Sequence, residues 1–268
     1  MADLLAECTD GVLRLTLNRP DARNALTPDQ RDELIARLEH ASADVGVRAV
    51  VIRGSGGSFC SGADLRASRA TPQRPADAPE RVQGDVARMI ATGAQRLISA
   101  VMDCEKPVIA AVEGVAAGIG AHLAFASDLV IAAEDARFIE VFVRRGLVPD
   151  GGGAYLLVRL IGPQKAKELV FFGGDVNAKD ALEFGLVNCV VPNEDIESTV
   201  DEWASLLALG PTRTIALAKK LINGAHDVDR AAAFDDEAWA QELNLSTHDA
   251  QEGVASFVER RKPEFRGW

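Results

Sequence analysis

The chain has 268 residues, of which 47% are hydrophobic, 26% charged and 5% aromatic. Its 29 Lys and Arg against 40 Asp and Glu leave a formal charge of −11. That apolar content excludes a disordered chain, and the acidic balance argues against a general nucleic-acid or anionic-membrane binder.

The length admits one large domain, or a core with a smaller appendage. The first ten residues, MADLLAECTD, carry acids and no long apolar run, unlike a secretory signal. Residues 12–17, VLRLTL, alternate apolar and polar as a half-buried strand does. After the turn NRPDARNAL, Thr27 caps a helix, Pro28 suits its first position and Gln30 completes a capping box. Leu34, Ile35, Leu38 and Ala41 form its apolar stripe. Residues 48–53, RAVVIR, read as a buried strand ended by Gly54 to Ser58. The stretch 67–82 holds three prolines and many charges and reads as a mobile surface insert. Residues 83–103 have helical spacing, with Val86, Ile90, Leu97 and Val101 along one side. Pro107 opens a second buried strand, PVIAAVEG, and a helix of small residues starts near Gly118. Strands follow at 128–133 and 137–142. The apolar region 107–133 contains Glu113, His122 and Asp128, so it is a poor membrane span. Beyond about 193 the spacing is helical, with segments at 195–209, 211–223, 229–244 and 249–261. The expected architecture is an α/β core over 1–194 and a helical region over 195–268.

Cys8, Cys60, Cys104 and Cys189 form no CxxC, which argues against zinc ribbons and dithiol redox chemistry. A reduced, soluble, cytoplasmic protein without a metal is the expectation. Gly54-Ser55-Gly56 lacks the third glycine of a dinucleotide fingerprint, because Phe59 stands there. Gly118-Ile119-Gly120 fails in the same way at Leu123. No GxSxG elbow is present. Yet Phe59 to Leu65 and Gly114 to Gly120 each place small residues where a strand leads into a helix. Such turns expose backbone N–H groups, and two side by side would form an oxyanion hole.

Ordered motifs then accumulate along the chain. They are Asn18-Arg19-Pro20 with Asn24-Ala25-Leu26, FCSGADL over 59–65, and KPVIAAV from Lys106 into GVAAGIGAHLAFASDL. Further on come Ala136-Arg137-Phe138, Gly146 to Gly152, ALEFGLV over 181–187 and RKPEF from Arg261. In this order they resemble the crotonase superfamily, the enoyl-CoA hydratase/isomerase family, along essentially the whole length. The resemblance implies a spiral of ββα units with C-terminal helices that build trimers, or hexamers as dimers of trimers. It implies an acyl-CoA thioester as ligand, with coenzyme A entering as part of the substrate. It places the two oxyanion-hole N–H groups on Ala63 and Ile119, where relatives usually have glycine at the second position.

The hydratases of that family use two glutamates, one to activate water and one to deliver the proton. The corresponding positions here hold His122 and Phe142. Asp150, in the motif Val148-Pro149-Asp150-Gly151-Gly152, is the candidate for a compensating acid. Phenylacetate-pathway enoyl-CoA isomerases resemble this motif and carry an acid there. One carboxylate can remove a proton and return it elsewhere while the enolate is held, which is double-bond migration. The plainer role for Asp150 is a helix cap, and for His122 a buried ring bonded to backbone. His122 otherwise orients Asp150, binds a polar acyl group or transfers a proton. Glu140 reads as a surface or intersubunit charge, or else a displaced acid. Cys60 reads as packing, Asp64 as a loop brace, and His40, His226 and His248 as solvated. Arg23, Ala25, Ser61, Leu65 and Lys262 are the expected coenzyme A contacts, and Phe142 lines the acyl pocket. Three functions stay open: an isomerase using Asp150, a hydratase or lyase using His122 or Glu140, and a non-catalytic acyl-CoA binder.

Overall fold

The computed structural model describes residues 2–67, 75–79 and 82–268. The insert expected at 67–82 therefore lies largely outside the described residues.

A first strand, β1 (Leu4–Thr9), was not legible in the sequence. It is a half-exposed edge, paired antiparallel with β2 (Val12–Leu17), Leu4 facing Leu17. Next comes α1 (Pro28–Ala43), capped by Thr27, whose Oγ1 accepts from the Gln30 N–H at 3.2 Å. The capping box is half made: the Gln30 side chain donates to the Asp3 carbonyl at 2.7 Å and pins β1 instead. The stripe Leu34, Ile35, Leu38 and Ala41 is buried as expected.

After β3 (Ala49–Gly54), the helical stretch consists of α2 (Asp85–Ile90), a π-helical turn at Ala91–Gln95, and α3 (Arg96–Met102). The wide turn adds a residue and rotates the preceding face out of line. Leu97 and Val101 are buried, but Val86 is 49% exposed, so the single stripe expected over 83–103 is not continuous. Gly93 in that turn packs against Arg31 of α1, whose guanidinium a Cβ there would approach to 2.6 Å.

Then follow β4 (Val108–Val112), β5 (Val115–Ala117), α4 (Ile119–Ala126), β6 (Leu129–Ala133) and β7 (Arg137–Ile139). The strand expected over 137–142 stops at Ile139, and Val143–Arg145 form a 3-10 turn. The helix α5 (Gly153–Phe172) is broken at Gly162, whose φ of 73° precedes Pro163. Then come β8 (Asp175–Asn177), α6 (Ala178–Phe184) and β9 (Cys189–Val191). Four helices close the chain: α7 (Ile196–Leu209), α8 (Thr212–Gly224), α9 (Arg230–Leu245) and α10 (His248–Glu259).

The larger sheet runs β1-β2-β3-β4-β6-β9, parallel from β2 onward, and β5-β7-β8 form a smaller one. Strand alternation sorts side chains to two faces. Val50 and Ile52 join Leu15, Leu34 and Leu97 in the main core. Val51, Ile109 and Ile131 face the other way, against Ile196, Val200 and Ala204 of α7. Both faces are thus covered, as a parallel sheet requires. Arg48 clasps the tail, donating to the Gly210 carbonyl at 2.7 Å and the Phe265 carbonyl at 3.2 Å. No helix among the described residues is long and apolar enough to cross a membrane.

Candidate active site

Two loops leave the same end of the large sheet, after β3 and β4. The structure laces them together. The Cys60 N–H donates to the Val115 carbonyl at 2.9 Å, and the Ala117 N–H to the Cys60 carbonyl at 2.9 Å. Gly120 makes this approach possible, because a Cβ there would lie 2.2 Å from the Cys60 carbonyl oxygen. Asn24 braces the first loop from below: its Nδ2 donates to the Ser55 carbonyl at 2.9 Å and the Ser58 carbonyl at 2.6 Å. Arg19 pairs with Asp64 at 2.9 Å, which holds that carboxyl below its usual range and anchors the chain just after Ala63. The bracing roles of Asn24 and Arg19 were not read from their motif.

The Ala63 and Ile119 N–H groups have no acceptor among the described residues. Ile119 is the first residue of α4, so its N–H also carries the positive end of the helix dipole. Unpaired amides of this kind can polarise a carbonyl oxygen that gains charge. Cys60 is packing: burial pushes its thiol up to about 12.

One turn along α4, His122 is wholly buried. Its Nε2 lies 3.0 Å and 3.2 Å from the two carboxylate oxygens of Glu140. Glu140 is only 4% exposed, so the reading of a surface charge is overturned. The chain leaves β7 at Ile139, and the next residue turns inward onto the ring. Phe142 stacks on the same imidazole, with centroids 5.4 Å apart and planes at 9°. The backbone-bonded alternative for His122 is likewise replaced, by a carboxylate partner.

Asp150 lies on the turn that leads into α5. It is not the cap: Gly152 occupies that position and the Asp150 carboxylate has no hydrogen-bond partner among the described residues. Burial raises its pKa, and the nearby His122 opposes the rise. The glycines that follow are dictated by what lies beneath. A Cβ at Gly151 would meet Ile119 Cδ1 at 2.5 Å, and one at Gly153 would meet the His122 ring at 2.3 Å. The turn that carries Asp150 therefore lies against Ile119 and His122.

This arrangement has relatives. The profile of the enoyl-CoA hydratase/isomerase family matches residues 7–267. The chain belongs to that family. It is 35% identical to the 1,2-epoxyphenylacetyl-CoA isomerase of Escherichia coli K12, over 100% of this chain and 99% of that one. It is 32% identical to the 2,3-dehydroadipyl-CoA hydratase of the same organism, over 100% of each. Among solved structures, the enoyl-CoA hydratase of Bacillus anthracis superposes with a TM-score of 0.88 at 31% identity, over 100% of each chain. That of Mycobacterium smegmatis gives 0.89 at 32% identity, over 99% of each.

The remaining hydratase/isomerase positions fall unevenly around the cleft. Arg23 is exposed in a left-handed turn at φ 49°, and its carbonyl accepts from the Ser61 N–H at 2.9 Å. Ser61 Oγ donates to the Ala22 carbonyl at 3.1 Å. The Ala25 carbonyl is taken by Arg19 at 2.6 Å. Leu65 is 73% exposed at the end of the first loop. These four sit on or against the first loop. Lys262 does not join them in its own chain: it lies on the tail that Arg48 holds, at the opposite end of β3. A cavity of about 450 Å³ also lies far from Asp150, between α8, α9 and α10, with Asn244, Asp249, Phe257 and Phe265 in its wall.

Proposed function

We propose that the chain is an enoyl-CoA isomerase that shifts a double bond through an enolate. The thioester oxygen is held by the Ala63 and Ile119 amides. Asp150 takes the proton from one carbon and returns it to another. The observation that carries this reading is the Asp150 carboxylate: it is half-buried, has no hydrogen-bond partner among the described residues, lies near His122, and sits on a turn whose next residue, Gly151, abuts Ile119. His122 and Phe142 stand where a hydratase keeps its two acids, which favours chemistry with one. Arg23, Ala25, Ser61 and Leu65 line the approach for coenzyme A, which is carried by the substrate.

Asp150→Asn keeps the shape and removes the base. Turnover of 3-enoyl-CoA to 2-enoyl-CoA is expected to fall by about 10²–10⁴-fold, read from the absorbance of the conjugated thioester. Undiminished turnover would sink the assignment. A hydratase reading draws on Glu140, which returns a carboxylate to the neighbourhood of His122 at 3.0 Å. Water addition to 2-enoyl-CoA that survives Asp150→Asn but not Glu140→Gln would favour it.

The same reading includes a trimer or a dimer of trimers. It is supported by apolar side chains left bare on α9 and α10: Trp239 is 70% exposed, Phe257 84% and Val258 74%. So large an apolar surface marks a contact between proteins. Sedimentation is expected to give three or six chains, and a monomer at micromolar concentration would contradict it.

A further inference from the structure

The turn that carries Asp150 rests on a floor of side chains. The Gly153 N–H donates to the Asp150 carbonyl at 3.3 Å, which closes a tight turn over residues 150–153. Gly151 and Gly152 have φ of 56° and 83°, the left-handed pair that such a turn needs. No side chain caps the helix that follows, so the height of the turn is set by what lies beneath it. Gly151 rests on Ile119 and Ala94, Gly152 on Ile98 and Leu156, and Gly153 on the His122 ring. Ala94 belongs to the π-helical turn and Ile98 to α3. Among the described residues His122 is the one titratable side chain of this floor, with Glu140 on its far ring nitrogen. Ala94, Ile98 and Leu156 bring no charge.

Ile119 makes the closest of these contacts with Gly151. A Cβ on Gly151 would stand 2.5 Å from Ile119 Cδ1, 3.3 Å from Ala94 Cβ and 3.7 Å from His122 Nδ1. One methyl therefore fills the joint where α4, the π turn and the Asp150 turn meet. Ile119 is 6% exposed, so little of it meets solvent. Beside the methyl, His122 Nδ1 is buried and has no partner among the described residues. An unpaired buried nitrogen is a standing cost, whichever protonation state the ring holds. A water would relieve it, as donor or as acceptor. The methyl denies that water its room.

We propose that the Ile119 side chain is the seat of the Asp150 turn: its terminal methyl sets the height of that turn above the Ile119 amide and seals the joint against water. One residue then serves the reaction twice. Its N–H faces the thioester oxygen, and its side chain is a positioning residue for the base. The base must stay within reach of the carbon beside the held carbonyl, and a misplacement of about 1 Å can cost about 10²-fold in rate. A dry joint also keeps Asp150 half-buried, and burial is what lifts its carboxyl above the ordinary range. The service to the reaction rests on the isomerase reading; the seat itself does not.

Ile119→Val removes Cδ1 alone and leaves the amide and the branch at Cβ. The space it frees is about that of one water, roughly 30 Å³. Ile119→Ala frees more. Carbon-13 NMR of the intact protein, labelled at its aspartates, follows the Asp150 carboxyl, assigned by its loss in Asp150→Asn. Its titration midpoint is expected to fall from wild type to Ile119→Val to Ile119→Ala, towards the ordinary value of about 3.9. Ile119→Leu returns the lost volume and is expected to recover part of the fall seen in Ile119→Ala. A midpoint unmoved in both Ile119→Val and Ile119→Ala would overturn the proposal, even if both melt earlier, because a loosened core alone lowers the melt only. A rise would overturn it too, since the turn would then have sunk without admitting water. In turnover of 3-enoyl-CoA the acid limb of kcat/KM is expected to move in step with the carboxyl. A limb that stays while the carboxyl moves would remove Asp150 as the base and leave the seat of the turn in place.

Discussion

At the scale of single residues, the site depends on what each polar group is denied. Asp150 has no hydrogen-bond partner among the described residues and loses part of its water, so burial lifts its pKa while the neighbouring His122 limits the lift. The sign of the resulting pH dependence follows. A base must be ionised to act, so kcat/KM is full above the raised value and falls as pH drops through it. The acid limb is expected above the ordinary aspartate value of about 3.9. It should vanish in the residual activity of Asp150→Asn. A profile that stays flat down to that ordinary value would contradict a buried base. Asp64 shows the opposite case, since Arg19 satisfies its carboxylate and keeps it charged.

At the scale of elements, one glycine governs the meeting of two loops. Gly120 lies inside α4 with helical geometry, so alanine costs nothing there by conformation. The obstacle is the Cys60 carbonyl oxygen at 2.2 Å from the new Cβ, an atom of backbone that cannot turn aside. Gly120→Ala is expected to part the loops and misplace the Ile119 amide. Loss of one such donor is worth about 10²–10³ in rate. That loss should fall on kcat with the helical circular dichroism unchanged, and an unaltered kcat would exclude this role. Much of this scale was legible beforehand. The Thr27 cap, the strands β2, β3, β4 and β6, and the four final helices are local patterns, written within a few turns of chain. What escaped was long-range. The inward turn of Glu140 answers a ring 18 residues earlier, and no local signal announces it. Gly93 in the π turn at 91–95 packs against Arg31, on another helix. The strands β8 and β9 are three residues each, too short for a period of two to show. The pairing of the two candidate loops needed the Cys60–Ala116 bridge, which spacing could not supply.

At the scale of the whole molecule, a buried cation ties the helical end to the sheet. Lys219 of α8 donates to Asp128 at 2.7 Å, to the Val101 carbonyl at 3.0 Å and to the Lys106 carbonyl at 3.3 Å. Lys219→Met would keep the packing and strand Asp128 without its partner. A cost of about 3 kcal/mol is expected for breaking such a pair from one side. At roughly 2–4 °C per kcal/mol this is visible in a thermal melt, and the further change Asp128→Asn should restore part of it. A melt unmoved by Lys219→Met would show that α8 is held by other contacts. The acidic balance of the chain is compatible with an anionic thioester for a related reason. The recognition proposed at the sheet end uses N–H groups, which add nothing to the net charge.

Those N–H groups also differ from every other part of the cleft in how they pass through generations. A side chain at 122, 142 or 150 is erased by one base change, and on the proposed reading the chemistry changes with it. The amides of Ala63 and Ile119 belong to no side chain, and only proline deletes them. Sequence drift can therefore rewrite the acids and the acyl pocket many times over. The frame proposed to hold the carbonyl stays in place, ready for whichever reaction the next set of side chains allows.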